Sequence, residues 1–253
     1  MKIHQLAAQL YTIRDYAKTP PEVALALKRI REIGFQAVQV SGLGPIEDCE
    51  LARILNGEGL ICCATHEGNI LEAPAKVVEK LNTLGCRYTA YPFPHVPLRS
   101  LQDVKALAAA LNRAGKILSE SGKVLAYHNH SIEFQRVDGH LMLDVIYDET
   151  DPRYLQGEID TYWVQHGGGD PVKWCRRLSG RLPLLHMKDY VINEKREPLT
   201  CEIGRGNLDW PAIVAAAEEA GCQWFIVEQD FCPGDPFESL KISFEYIRDH
   251  LCA

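Results

Sequence analysis

Short apolar runs alternate with longer amphipathic stretches along the whole chain. The short runs are rich in β-branched and aromatic residues, which is typical of buried strands, whereas the longer stretches repeat apolar residues every three or four positions, as helices do. The pattern predicts eight strands, at residues 5–13, 36–40, 60–65, 87–91, 124–127, 154–159, 182–186 and 223–227. It predicts helices at residues 20–33, 48–56, 73–84, 100–121, 141–148, 171–178, 211–220 and 236–251.

Glycines follow several predicted helices and directly precede a predicted strand, as Gly34, Gly85 and Gly221 do. A glycine in the left-handed conformation ends a helix and turns the chain back to the sheet. Eight such alternations without a long linker favour one α/β domain over residues 1–253, a single (β/α)8 TIM barrel. An open doubly wound sheet is the alternative, but no glycine-rich dinucleotide motif follows the first strand.

The composition of the chain disfavours some classes of binding partner. A hydrophobic fraction of 46% supports a full-sized core, and a net charge of -7 disfavours nucleic acid and anionic membranes as partners. The nine cysteines form no CxxC pair, which is typical of reduced thiols, and no run is long enough to span a membrane. We expect a cytoplasmic protein with a small-molecule partner, and a homo-oligomer is compatible with this composition.

Four of the predicted strands have a polar residue at or after their carboxyl end: Glu133, Asp160, His186 and Glu228. An unpaired buried carboxylate costs several kcal/mol, and the carboxyl ends of all barrel strands meet on the face that carries active sites. Carboxylates with an imidazole suit a divalent cation, so these four residues are predicted to bind one Mn, Mg, Co or Zn ion. Two alternatives stay open: salt bridges around the rim, and His128 in place of Glu133 because it lies nearer to its strand end.

Other polar residues are expected at the same face. His128 and His130 project from the same face of the strand, because side chains alternate along it. One of them is predicted to donate a hydrogen bond or carry a proton. Lys188 follows His186 by two positions and could hold a substrate oxygen or an enolate, although a surface pair with Asp189 fits equally well. Their positions place further residues near the substrate: His66 after the third strand, Gln9 or Tyr11 near the first, and Glu202 or Arg205 after the seventh.

Several short motifs carry a resemblance to a known family. They are Gln-Leu-Tyr-Thr-Ile-Arg-Asp at residues 9–15, Tyr-His-Asn-His-Ser-Ile-Glu-Phe at 127–134, Asp-Thr-Tyr-Trp at 160–163, His-Met-Lys-Asp at 186–189, Gly-Arg-Gly-Asn-Leu-Asp-Trp at 204–210, and Val-Glu at 227–228. Together they resemble the sugar phosphate isomerase/epimerase family of the xylose isomerase-like TIM barrel superfamily, over essentially the whole chain.

The resemblance implies one divalent metal held by Glu, Asp, His and Glu. Asp160, His186 and Glu228 match this pattern, but many epimerases have a glutamate where this chain has His128, and Glu133 is the implied substitute. The implied activity is isomerisation or epimerisation of a keto-sugar or related polyol through a metal-stabilised enediolate.

The predicted catalytic residues are Glu133, Glu228, His130 and Lys188, and the predicted substrate contacts are His66, His128, Glu202 and Arg205. Dehydration of an inosose-type keto-polyol is the nearest alternative, because it begins with the same proton abstraction. A metal-dependent phosphodiesterase like the apurinic endonucleases is disfavoured, since it needs more histidines and a basic surface. A sugar-binding protein without turnover is the third class.

Overall fold

A computed structural model describes residues 1–252, in which eight parallel strands close into a barrel. Each strand pairs with its neighbours along the chain, and the last strand pairs with the first through Ala7 and Ile226. The barrel strands β1 to β8 are Leu6–Gln9, Ala37–Val40, Ile61–His66, Tyr88–Tyr91, Val124–His128, Gln156–Asp160, Leu184–Met187 and Trp224–Val227. The predicted (β/α)8 barrel is therefore confirmed.

Helices surround the barrel. Within residues 1–252, α1 to α9 are Pro20–Ile33, Asp48–Gly57, Pro74–Thr83, Leu101–Glu120, Met142–Asp148, Thr161–His166, Pro171–Arg177, Trp210–Glu219 and Pro236–His250. Their apolar faces pack on the outer face of the strands, and α1 contacts α9 to complete the ring. In this described part of the chain, none of the helices is long and apolar enough to cross a bilayer.

The structure differs from the prediction at two places where a polar side chain begins a helix. The first strand ends at Gln9 rather than at residue 13, because the Gln9 side chain accepts a hydrogen bond from the Tyr11 backbone N–H, 3.3 Å away, and starts a 3-10 segment over Leu10–Tyr16. Helix α6 was not predicted. It begins where the carboxylate of Asp160 accepts a hydrogen bond from the Trp163 N–H at 2.9 Å.

The glycine signals at helix ends are largely correct. Gly85 and Gly221 have φ angles of 62° and 91°, the left-handed conformation that returns the chain to a strand. Gly59, two positions after the end of α2, has a φ angle of 65° and turns the chain towards β3 in the same way.

A hairpin above β7 was also not predicted, and it pairs Asp189–Ile192 with Pro198–Cys201. The buried carboxylate of Asp189 accepts hydrogen bonds from the Gly204 and Gly206 N–H groups and from Trp210 Nε1, at 2.9, 3.1 and 2.8 Å. Asp189 therefore holds the loop that leads from this hairpin into α8.

Candidate metal and substrate site

The interior of the barrel changes from apolar to polar towards the carboxyl ends of the strands. Small or aliphatic residues form a buried inner layer, and on six strands a polar residue follows two positions later, on the same side. These steps are Ala7 to Gln9, Ala37 to Gln39, Ala64 to His66, Ala126 to His128, Leu184 to His186 and Ile226 to Glu228. The two-residue period thus places a ring of polar side chains next to the apolar inner layer, on the side of the carboxyl ends of the strands.

Three side chains of this ring, His128, His186 and Glu228, form the outer group together with Asp160 at the end of β6, and the donor atoms of the four lie within 4.8 Å of one another. His186 Nδ1 is 2.9 Å from Glu228 Oε2 and 3.9 Å from Asp160 Oδ2. His128 Nε2 is 4.0 Å from the same oxygen of Asp160. The barrel thereby brings together residues from β5, β6 and β7 and from the end of β8, of which the first and the last are 100 positions apart in the sequence.

The outer group fits a divalent cation. Its donors are two imidazoles and two carboxylates, a combination that suits borderline cations. Asp160 Oδ2 is buried without a hydrogen bond; Lys188 Nζ lies 2.9 Å away, in the position of an ion pair. Coordination to a cation would give this buried oxygen a further partner besides the Lys188 ammonium.

Charges around the outer group shift the pKa values of its members. Burial raises the pKa of Asp160 to about 6, although Lys188 and His186 oppose this shift. Burial alone would lower the pKa of His186, but the carboxylates of Glu158 and Glu228 outweigh it and raise the pKa to about 10. A cation that binds here must therefore displace a proton from His186.

Glu133 lies outside the outer group. It is fully buried, its Oε1 accepts a hydrogen bond from the Tyr127 hydroxyl at 2.7 Å, and its Oε2 accepts one from the His130 N–H at 2.8 Å. The Glu133 carboxylate thus joins β5 to the following loop. Of the two candidates for the first ligand, the structure brings His128 to Asp160 and leaves Glu133 in this hydrogen-bonded position.

A second set of donors lies deeper in the barrel and consists of His66, His128, Glu158 and His186, the inner group. Glu158 Oε1 is 2.5 Å from His66 Nε2 and 3.2 Å from both His128 Nδ1 and His186 Nε2. The outer and inner groups therefore use opposite nitrogens of His128 and His186. A neutral imidazole offers a lone pair on only one nitrogen, so two cations would require deprotonated rings as bridges.

Glu158 and Asp230 are site residues that the sequence analysis missed. A signal existed for both, because Glu158 precedes Asp160 by two positions and Asp230 follows Glu228 by two. The same alternation that selected His128 with His130 places each of these pairs on one face.

Lys188 points into the site and is buried. Its Nζ lies 2.9 Å from Asp160 Oδ2, 2.8 Å from Glu228 Oε2 and 3.1 Å from Asp230 Oδ2. Burial lowers its pKa, but the three carboxylates outweigh burial and hold the pKa well above the ordinary value. The alternative pair with Asp189 is not formed, because the Asp189 carboxylate accepts hydrogen bonds from backbone N–H groups and Trp210.

A pocket of about 650 Å³ opens above the outer group. Part of its wall is aromatic, and the rest carries groups that can hydrogen-bond or titrate. The lining includes Tyr11, Phe93, Trp163, His66, His95, His130, Lys188, Glu228 and Asp230. Burial, followed by the nearby ammonium of Lys188, lowers the pKa of His130 to about 3, so the His130 ring is neutral at physiological pH.

Two predicted substrate contacts lie elsewhere. Within residues 1–252, the lining of this pocket does not include Glu202 or Arg205. Glu202 Oε1 accepts a hydrogen bond from Ser239 Oγ at 2.8 Å, and Arg205 is an exposed partner 3.7 Å from Glu202 Oε2. The structure thus joins Glu202 to α9 instead of bringing it to the outer group.

Comparisons with known proteins agree with this architecture. The family model described as xylose isomerase-like TIM barrel matches residues 27–250. An inosose dehydratase from Geobacillus thermodenitrificans is 27% identical over 205 residues, which cover 73% of this chain and 68% of that protein.

Two solved structures share the fold at lower identity. A sugar phosphate isomerase/epimerase from Parabacteroides distasonis superposes with a TM-score of 0.83 at 23% identity, covering 98% of this chain and 94% of the other. A D-allulose 3-epimerase from Methylomonas sp., in complex with D-allulose, superposes with a TM-score of 0.74 at 14% identity, covering 98% of each chain.

Proposed function

Because the chain belongs to the xylose isomerase-like TIM barrel family, we propose that it is a metal-dependent isomerase or epimerase of a keto-sugar or related polyol. The observation that carries this proposal is the convergence of four donors, His128, Asp160, His186 and Glu228, within 4.8 Å at the base of a large polar and aromatic pocket. Such convergence of titratable groups with shifted pKa values in a cleft is typical of a reaction centre.

These four residues would hold one divalent cation. Two imidazoles among the ligands favour Mn, Co or Zn over Mg, which prefers oxygen ligands. When bound, the cation supplies Lewis-acid polarisation of a substrate carbonyl and its neighbouring hydroxyl.

The side chains around the outer group supply proton transfer. Glu228 has a pKa well below its ordinary value because Lys188 and His186 outweigh the effect of its burial, so it is ionised and can accept a proton from the carbon beside the carbonyl. Lys188 Nζ can donate a hydrogen bond to the oxygen that becomes negatively charged. His130, neutral and at the pocket wall, can accept a hydrogen bond or a proton from the substrate on another side.

The pocket favours an unphosphorylated substrate. Arg14 lines it, but its guanidinium donates to the backbone oxygens of Tyr11 and Asp230, both at 2.9 Å. Lys188 is already surrounded by three carboxylates. Aromatic rings such as Phe93 and Trp163 offer surfaces for the C–H faces of a neutral sugar.

Dehydration of a keto-polyol is the second candidate, and the sequence relatives favour it, since the relative from Geobacillus thermodenitrificans is an inosose dehydratase. Dehydration begins with the same removal of a proton beside the carbonyl. It then requires loss of a β-hydroxyl as water, and Asp230, whose pKa is raised by burial, could provide the proton.

One experiment tests the proton abstraction and distinguishes these outcomes. The protein loaded with Mn, Co or Zn is incubated with D-allulose, D-fructose and an inosose in deuterated water, and products are followed by NMR. We expect deuterium at the carbon beside the carbonyl, together with either an epimer or isomer, or a dehydrated product. Glu228→Gln should abolish exchange, while Glu219→Gln on the surface should not. Metal-loaded protein that exchanges no proton of any of these substrates would contradict the proposal.

A further inference from the structure

Gln39 occupies a fully buried position on β2, beside the nitrogen of His186 that faces away from the outer group. Its Nε2 donates a hydrogen bond to Glu158 Oε2 at 2.6 Å. Its Oε1 accepts one from Gln9 Nε2 at 2.7 Å and lies 2.6 Å from His186 Nε2. Gln39 is not among the four residues proposed to hold the cation.

The orientation of the Gln39 amide is determined by its neighbours. An ionised carboxylate can only accept hydrogen bonds, so the NH2 group of Gln39 must face Glu158. The amide oxygen then faces His186 Nε2. In the reversed orientation, the Gln39 oxygen would meet the carboxylate of Glu158, and its NH2 group would meet the donor of Gln9.

This orientation selects the tautomer of His186. Because an amide oxygen accepts only, His186 Nε2 must carry a hydrogen, and the lone pair of the neutral ring is left on Nδ1. Nδ1 is the nitrogen that lies 2.9 Å from Glu228 Oε2 and faces the outer group. We propose that Gln39, oriented by Glu158 and Gln9, is a positioning residue that makes Nδ1 the metal-binding nitrogen of His186.

This inference rests on the proposed metal site, and it also explains why the inner group would not bind the cation. Binding there would need the lone pair of His186 on Nε2, where Gln39 Oε1 requires a hydrogen. Partners that orient a metal-binding histidine through its other nitrogen typically contribute about 10- to 100-fold in metal affinity.

The test reads the ring nitrogens directly. Zinc-loaded protein with ¹⁵N-labelled histidine is studied by long-range ¹H–¹⁵N correlation NMR, and zinc affinity is measured by competition with a chromophoric chelator. In the wild type we expect His186 to bind zinc through Nδ1 and to keep a hydrogen on Nε2. Gln39→Leu should lose this preference and weaken zinc binding about 10- to 100-fold. Gln102→Leu, on the exposed side of α4, is the matched control.

A double variant distinguishes the hydrogen bond between Gln39 and His186 from the simple loss of side-chain packing at position 39. Gln39→Glu alone should weaken zinc binding, because it sets two carboxylates against each other. Combined with Glu158→Gln, the exchanged pair restores one carboxylate and one amide, and the carboxylate at position 39 still accepts from His186 Nε2. We expect zinc affinity of the double variant to return to within about threefold of the wild type.

The outcomes are distinct. Zinc bound through Nε2 in the wild type, unchanged affinity in Gln39→Leu, or no recovery in the double variant would each overturn the role of Gln39. A wild-type protein that binds no divalent cation would overturn the proposed function, and this inference with it.

Discussion

The buried ammonium of Lys188 contacts two of the carboxylates that are proposed to bind the cation and a third that lies next to them. Its Nζ is within 3.1 Å of oxygens from Asp160, Glu228 and Asp230. The Lys188 ammonium and a cation bound to the same carboxylates would repel each other strongly, because the site has low polarity. In the proposed site, Lys188 would therefore oppose metal binding while it stabilises the negative charge that develops on the substrate.

Lys188→Met should separate these two effects. We expect divalent metal to bind about tenfold more tightly, because the competing charge is removed. Turnover should fall by about 10²-fold, because a donor to the enolate oxygen is lost. Metal affinity is measured by chelator competition, and turnover by deuterium exchange. Lys173→Met, on a side chain that is 82% exposed, serves as the control. Weaker metal binding in Lys188→Met would contradict this account.

Asp160 gives the metal-free protein a pH-dependent stability. Burial raises its pKa from an ordinary 3.8 to about 6, so the folded state binds the proton more tightly than the unfolded state. The resulting contribution to the free energy of unfolding is present below pH 3.8 and is lost as the pH rises through 6. Ionised Asp160 is thus a cost to the fold that a bound cation would offset.

Asp160→Asn removes this titration. In the presence of chelator, the wild type should lose more stability than the variant between pH 4 and pH 7, by on the order of 2 kcal/mol. Urea denaturation of both proteins at the two pH values measures the difference. Equal losses in the two proteins would show that Asp160 does not titrate in this range.

At the scale of elements, helix α4 packs directly against the chain that enters β6. A Cβ atom added to Gly115 would lie 1.9 Å from the backbone oxygen of Tyr154. A carbon atom cannot occupy that space unless the helix moves away from the barrel. Gly57, at the end of α2, has open space instead, because no atom lies within 4 Å of an added Cβ.

The two glycines therefore form a matched pair. Gly115→Ala should lower the free energy of unfolding by about 1–3 kcal/mol through overpacking. Gly57→Ala should change it little or raise it by up to about 1 kcal/mol, because alanine favours the helix more than glycine does. Urea denaturation measures both. A neutral Gly115→Ala variant would indicate that α4 is free to shift.

At the scale of the whole molecule, the proposed ligands come from four adjacent strands, β5 to β8. A cation shared by them would link four of the eight barrel strands, and a ligand that binds only the folded state stabilises that state. At a free metal concentration of 100 times Kd, the gain is about 2.7 kcal/mol.

This gain should raise the melting temperature by about 5–10 °C for a chain of this size. Thermal denaturation with added Mn, Co or Zn measures the shift, and excess chelator should reverse it. Glu228→Gln should show a much smaller shift at the same metal concentration. An equal shift in this variant would place the stabilising cation outside the outer group.

The sequence alone determined the barrel and the face on which its polar residues gather. Apolar periods of two and of three to four residues specify strands and helices locally, and glycines with positive φ end the helices, so these signals need no distant partner. The same period of two placed Asp160, His186 and Glu228 at inward-facing positions, at the carboxyl ends of their strands. The hairpin at Asp189–Ile192 gave no such signal, because its strands are short and only partly buried.

Only the tertiary structure decided which of these side chains meet. Alternation determines the side of a strand from which a residue projects. It does not determine the register between neighbouring strands or the path of the loop that follows a strand. That path turns Glu133 back onto Tyr127, so His128 stands beside Asp160 instead. The environment of His186, between Gln39 and Glu228, likewise depends on the pairing of strands that are far apart in the sequence.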